Sequence, residues 1–405
     1  MTAENQISAL DLNLSILLDF VVRATYVLVS IGLILGQTFP IRIGFLSTSI
    51  VEVLVATAIG LAVLTTNSKD RKSAYLFLLI AATPMLIVSA THNPIDRVLR
   101  DFTQIAFVGL YIVGTTIKKK QFVESLALAI FIVAPIAVRY GISEDIYFFQ
   151  APLATQVLFN LRIPSMFIFA VILSEFVRGH TRLWHLAFLV CLAVLAASIR
   201  TRGFHLALLF ELAVAVAVLV RTRVRHKYLV SVLSIVAILA IVLAFASLPA
   251  IQERYSFILG AGANGLSAFE NDPSLAARLI LWGIALSELG TDIWRHLFGL
   301  GFGTYLLLDP RGIGDYQYLP AWMIHNQLLS IYVTGGAYLV LIFGWFLRKL
   351  YSMARDKELF LIMCVGTILY SLSTPVLGKV IDASMSWIFL GLAVGASRGI
   401  EIGRE

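Results

Sequence analysis

Apolar positions along this chain neither alternate at the period of a strand nor stripe one face of a helix. They run in long blocks, each about as long as a bilayer is thick, separated by short polar punctuation. The blocks predict about twelve spans, near 16–36, 43–65, 73–90, 101–117, 122–138, 164–177, 183–199, 204–220, 228–247, 326–346, 359–373 and 383–397. Several are shorter than the roughly 20 residues a perpendicular helix needs, so flanking residues must extend them. The last two also fit one broken hairpin. A single long stretch, 248–325, is mixed and semi-polar and interrupts the pattern. The expected fold is therefore an all-α polytopic membrane helix bundle. Residues 1–247 would hold nine spans, 248–325 one large loop with amphipathic helices, and 326–405 three spans and a tail.

Composition strengthens this reading. Hydrophobic residues make up 59% of the 405 and charged residues 14%, against about 45–50% and 25% in soluble chains. The segment Met1–Ser15 carries Glu4 and Asp11 and no basic cluster, so the first apolar block is expected to remain as a span. Cys191 and Cys364 both fall inside apolar runs, and a structural disulfide is not expected.

Charge sets the orientation. The clusters Lys69–Lys72, Lys118–Lys120, Arg178/Arg182, Arg221–Lys227, Arg348–Lys357 and Arg398/Arg404 hold 18 of the 31 Lys and Arg. All fall on one side of the proposed bundle. The positive-inside rule makes that side cytoplasmic, with both termini, and puts the long loop outside. The net charge of +7 is then topological and gives no reason to expect nucleic acid.

Basic residues on the opposite face have no topological explanation. Twelve lie there, and eleven are arginine: Arg42, Arg97, Arg100, Arg139, Arg162, Arg200, Arg202, Arg254, Arg278, Arg295 and Arg311, joined by Lys379. Arginine's planar fork suits bidentate capture of phosphate oxygens. The plain alternative is snorkelling to lipid headgroups. Three places stand out. Ser198–Gly203 joins two spans and holds Arg200 and Arg202, which are costly there unless they face a polar cavity or the interface. Arg278 opens the amphipathic run Arg278–Trp282, whose Trp282 is expected to anchor it at the membrane surface. Gly299, Gly301 and Gly303 alternate with Leu300 and Phe302 in a turn lacking the strand–turn–helix setting of a nucleotide fingerprint. Finally His325-Asn326, nine residues and then Gly336 open the first span after the loop.

In this order and on this face, Arg200/Arg202, Arg278-x3-Trp282, Gly299-x-Gly301-x-Gly303 and His325-Asn326-x9-Gly336 resemble the O-antigen ligase and polymerase family, over roughly 195–345. The family often repeats glycine three residues after the last motif, where this chain has Leu339. The doubled arginine leaves open which of Arg200 and Arg202 matches. The resemblance implies an enzyme of the bacterial inner membrane with its site on the periplasmic face. Its donor would be a glycan on undecaprenyl diphosphate, and its acceptor a lipid-linked glycan or lipid A-core. Membrane lipids would be further partners.

Residue chemistry agrees. A departing diphosphate gains charge in the transition state, and guanidinium groups aimed at it lower the barrier. Acidic residues of the loop are scattered rather than paired, so the expectation is a reaction with no metal and no cofactor. His325 is the expected base for the acceptor hydroxyl, with Arg278 and Arg200 or Arg202 on the diphosphate. Arg97, Arg100, Arg139, Arg162 and Asn326 are candidates for the second substrate. A rival reading treats Glu52, Glu175 and Glu211 as a carboxylate chain in a transporter or lipid flippase. Such proteins show repeats related between two halves, and none is visible here. Asp19 and Arg23, four residues apart in the first span, are expected to neutralise each other.

Overall fold

The computed structural model describes residues 20–32, 34–35, 40–43, 46–49, 57, 59, 68–141, 153–180, 182–199, 201–223, 273–308, 317–321, 324, 326–372, 374 and 380–395. Five helices among them are long and apolar enough to cross a membrane: Lys72–His92, Lys119–Arg139, Gln156–Val177, Gly203–Arg221 and Gln327–Met353. Shorter apolar helices cover Phe20–Gly32, Phe107–Thr116, Leu183–Ser198, Arg278–Ser287 and Asp382–Gly395. The chain is a multi-pass helical membrane protein.

In chain order the elements are α1 (Phe20–Gly32), β1 (Pro40–Ile43), β2 (Leu46–Ser49), α2 (Ser68–His92) and α3 (Ile95–Ala106). Next come α4 (Leu110–Thr116), α5 (Lys119–Gly141), α6 (Leu153–Asn160), α7 (Arg162–Val177), α8 (Leu183–Ser198) and α9 (Arg202–Arg223). After 272 follow α10 (Pro273–Ser287), α11 (Ile293–Phe298), β3 (Tyr305–Leu308), β4 (Gln317–Pro320), α12 (Gln327–Met353), α13 (Lys357–Ser371) and α14 (Val380–Gly395). The strands form two separate antiparallel hairpins, β1–β2 and β3–β4.

Three departures from the hydropathy reading have local causes. The fourth expected span, 101–117, is broken into the end of α3, a 3₁₀ turn at Phe107–Gly109, and α4. The sequence of α3 carries four charges in six residues, Asp96 to Asp101, which a lipid-crossing helix would have to bury, while Ile95 and Leu99 are exposed. Such a helix suits the membrane surface. The sixth span lengthens backward through α6, with a turn at Leu161. The start of the second, at 43, is occupied by the β1–β2 hairpin. The ninth, 228–247, lies outside the described residues.

Close helix contacts hold the centre. α4 and α14 approach until a Cβ at Gly114 would collide with the Ile388 carbonyl, and one at Gly391 with that of Tyr111. Backbone proximity of this kind supplies dispersion contacts where lipid offers no hydrophobic drive. Aromatic pairs fill the space around them: Phe77 stacks on Phe346 at 4.3 Å, and Phe167 on Phe389 at 4.6 Å.

One end of the bundle gathers the basic residues, and Asp356 ties it together. Its carboxylate accepts from Lys119 Nζ at 2.8 Å and from Arg178. It also caps α13 through Leu359 N at 3.0 Å, while its own N–H donates to Ala393 O at 3.1 Å. The starts of α5 and α13 and the ends of α7 and α14 thereby meet. Burial alone would raise the Asp356 pKa, but Lys119 and Arg178 outweigh it and hold the carboxyl below its usual range. A depressed carboxyl pKa gives stability that is full above the unfolded value and lost as pH falls through the folded one. Asp356→Asn is therefore expected to destabilise the detergent-solubilised protein by about 3 kcal/mol at neutral pH, the scale for breaking a buried ion pair. Thermal unfolding should show the gap between variant and wild type closing as the sample is acidified below about pH 4.

Candidate active site

At the end opposite the basic cluster, the glycine turn after α11 is locked on two sides. Phe302 N–H donates to Ser89 Oγ at 2.6 Å, and Gly303 N–H to Asp101 Oδ2 at 2.8 Å. Asn93 Nδ2 donates to Phe302 O at 2.8 Å and to Thr304 Oγ1 at 3.2 Å. The elbow between α2 and α3 thus grips the turn. From the other side, Leu300 and Gly301 N–H donate to the carbonyls of Val333 and Thr334, at 2.8 and 2.9 Å. Those carbonyls are available because α12 kinks at Gly336, whose φ is +62°. A Cβ at Gly336 would collide with the Leu297 carbonyl, and one at Gly299 with that of Thr334. Two glycine motifs far apart in sequence are one backbone-to-backbone joint.

A polar nest lies among the helix ends on this side. Arg162, only 5% exposed, donates Nε–H to Phe159 O at 2.7 Å and Nη1–H to Thr201 Oγ1 at 3.2 Å. Its guanidinium lies over the Phe159 ring at 4.6 Å and the Tyr370 ring at 5.6 Å. The Tyr370 hydroxyl has Thr374 as a hydrogen-bonding neighbour and lies within electrostatic reach of Arg162, Asp382 and Arg278. Asp382, in the first turn of α14, is 2% exposed. The start of α7, the 199–202 junction and the end of α13 therefore meet at one place, with Asp382 of α14 and Arg278 of α10 within electrostatic reach. Buried guanidinium and carboxylate groups at a membrane-protein helix end make this place the candidate site.

The sequence-chosen residues distribute unevenly around it. Arg278 is half-buried on α10 and reaches the nest electrostatically. Arg200 and His325 lie outside the described residues, and so does the side chain of Arg202, the first residue of α9. Their neighbours are placed. Thr201 carries the bond from Arg162, and Ile324 O accepts from Trp282 Nε1 at 3.0 Å. Trp282 thus pins α10 to the entry of α12, whereas the exposed aromatic anchor is Trp294 on α11. Asn326 Oδ1 caps α12 by accepting from Leu329 N at 3.1 Å. Arg97 is exposed and stacks on the Tyr305 ring at 4.6 Å, next to the glycine turn. Arg139 is exposed in the last turn of α5, and no contact among the described residues joins it to the nest. The side chain of Arg100, on α3, is outside the described set.

Tyr370, Thr374 and Asp382 were not selected from the sequence. Their signal was a carboxylate and hydroxyls at the facing edges of the last two apolar blocks, where hydropathy only suggested a break. Two other intramembrane groups are placed by their contacts. Arg23 pairs with Glu124 at 2.8 Å, and Asp19 lies outside the described residues. His205 Nε2 meets Ala196 O at 2.7 Å. Of the rival carboxylate chain, Glu211 is fully buried against Gly366, Glu175 pairs with His185 at 3.2 Å, and Glu52 lies outside the described residues.

Residues 186–344 match the family model described as O-Antigen ligase. No curated protein matches the chain. The matched segment spans the 199–202 junction, α10, the glycine turn and the α12 kink, which are the parts the geometry joins, while Arg162, Tyr370 and Asp382 complete the nest from outside it. Over residues 186–344 the chain is therefore similar to the O-antigen ligase family.

Proposed function

We propose that the protein is an inner-membrane glycosyltransferase that moves a glycan from undecaprenyl diphosphate to a sugar hydroxyl on the periplasmic face, acting as a surface-polysaccharide polymerase. The observation that supports this reading is the buried Arg162, bonded to Thr201 and lying over Tyr370, with Arg278 and Asp382 within electrostatic reach of that tyrosine. In this account the bundle has twelve spans, with both termini cytoplasmic and the nest outside. Arg278 and Arg200 or Arg202 hold the diphosphate. Arg162 has further N–H donors beyond its two bonds and joins them. Arg97, Arg100, Arg139 and Asn326 remain candidates for the acceptor lipid.

His325 accepts the proton of the acceptor hydroxyl as that oxygen attacks the anomeric carbon. The carbon–oxygen bond to diphosphate breaks, and the arginines take up the charge of the departing undecaprenyl diphosphate. Attack from the opposite side inverts the anomeric centre. Charge stabilisation by guanidinium is assigned to this step, with no metal. The matched family description favours a second reading, a ligase whose acceptor is lipid A-core.

The test is reconstitution in nanodiscs with lipid-linked repeat units as sole glycan and a chelator present, with products read by mass. Longer lipid-linked chains identify a polymerase. Transfer that begins only when lipid A-core is added identifies a ligase. Neither product, with labelled lipid crossing the bilayer, would replace the enzyme by a flippase.

A further inference from the structure

At the basic end of the bundle, a small pocket opens between the first turns of α5 and α8 and the end of α7. Lys119, Lys120, Glu124, Glu175, Arg182 and Trp184 line it, over an apolar floor of Val123 and Val171. We propose that this pocket binds the phosphate-bearing headgroup of an anionic phospholipid.

The argument begins with which charges are already answered. Glu124 accepts from Arg23 at 2.8 Å and Arg182 at 3.2 Å. Glu175 faces His185 at 3.2 Å, and Lys119 is held by Asp356 at 2.8 Å. Glu124 is therefore neutralised by two guanidinium neighbours, and Glu175 is turned toward His185. Two donors are left. Lys120 is exposed and has no carboxylate partner among the described residues. The Trp184 indole nitrogen is buried and has no acceptor among them. A buried N–H without an acceptor is destabilising, and a donor beside an ammonium group calls for an acceptor carrying negative charge. Phosphate oxygen meets both needs.

The surroundings favour a lipid over a free ion. α5 and α8 pack together, with Phe131 and Phe188 edge-to-face at 5.8 Å. Beyond the pocket they leave Leu128, Ile132, Leu186 and Val190 exposed. A headgroup in the pocket would have its acyl chains on that apolar strip. A tryptophan at the headgroup level beside basic residues is the usual interfacial arrangement. The pocket is at the opposite end from the nest, so the inference does not depend on the transfer chemistry. It depends on orientation only for naming the leaflet.

The experiment uses the full-length protein in detergent, with bound lipid read by native mass spectrometry after equilibration with phosphatidylglycerol or phosphatidylcholine. Wild type should retain phosphatidylglycerol in preference to phosphatidylcholine. Lys120→Ser should weaken that retention about fivefold, the scale for one basic side chain at a membrane surface. Trp184→Phe removes the indole N–H while keeping an aromatic ring, and with thermal unfolding checked against wild type it should also weaken retention. Equal retention of the two lipids by wild type, or retention unchanged in both variants, would overturn the proposal. Displacement of phosphatidylglycerol by millimolar inorganic phosphate, with phosphate bound in its place, would overturn the lipid assignment and leave a soluble-anion site.

Discussion

Replacing His325 by alanine is expected to lower glycan transfer by at least about a hundredfold, the usual contribution of a positioned general base. The expectation rests on placement as well as residue type. Ile324 is held by the Trp282 indole, Asn326 caps α12, and Gly336 fixes the kink further along the same helix. Neighbouring residues on both sides are anchored without help from the imidazole, so its removal should leave the fold in place. A histidine base acts in its neutral form. Wild-type transfer should therefore rise as the medium is made less acidic. The residual activity of His325→Ala should lack that rise. A variant that transfers at the wild-type rate, or keeps the same pH profile, would remove His325 from the reaction.

Gly336→Ala is expected to destabilise the protein by about 3 kcal/mol and to abolish transfer with it. The backbone there has φ of +62°, and a methyl group would collide with the Leu297 carbonyl. Relief would require α11 to retreat from α12. That movement would break the bonds from Leu300 and Gly301 to the exposed carbonyls of Val333 and Thr334. Gly344, on the same helix, provides the control because a Cβ there meets nothing within 4 Å. Gly344→Ala should be neutral or slightly stabilising, as for alanine replacing glycine inside a helix. Thermal unfolding of the two variants side by side separates loss of the joint from any general effect on helix α12.

The sequence made the membrane class, most helices and the grouping of basic residues legible, because hydropathy blocks and Lys/Arg clusters are local signals. It also picked out Gly299, Gly301, Gly303 and Gly336, but not that they meet. Positive φ and close backbone approach are properties of a pair of segments, and a single segment shows only the glycine. Residues 101–117 read as one apolar block, whereas the helix there passes from α3 through a 3₁₀ turn into α4, a change of hydrogen-bond pitch that hydropathy does not register. Arg162 was chosen as one external arginine among many. Its particular importance depends on Thr201, Tyr370 and Asp382, which reach it through tertiary packing. Asp382 and Tyr370 carried little signal of their own, since one carboxylate and one tyrosine at the edges of apolar blocks are common.

The central claim is that the nest at the end opposite the basic cluster performs glycan transfer. The most direct measurement is single-turnover transfer from an undecaprenyl-diphosphate-linked glycan in nanodiscs. It would compare wild type with Arg162→Ala, Arg278→Ala and Arg348→Ala, each checked for wild-type thermal unfolding. The account predicts that both nest variants lose transfer by about a hundredfold or more, the scale of a lost transition-state charge contact. Arg348→Ala, exposed at the basic end, should behave as wild type. Folded Arg162→Ala and Arg278→Ala proteins that transfer at the wild-type rate would contradict it.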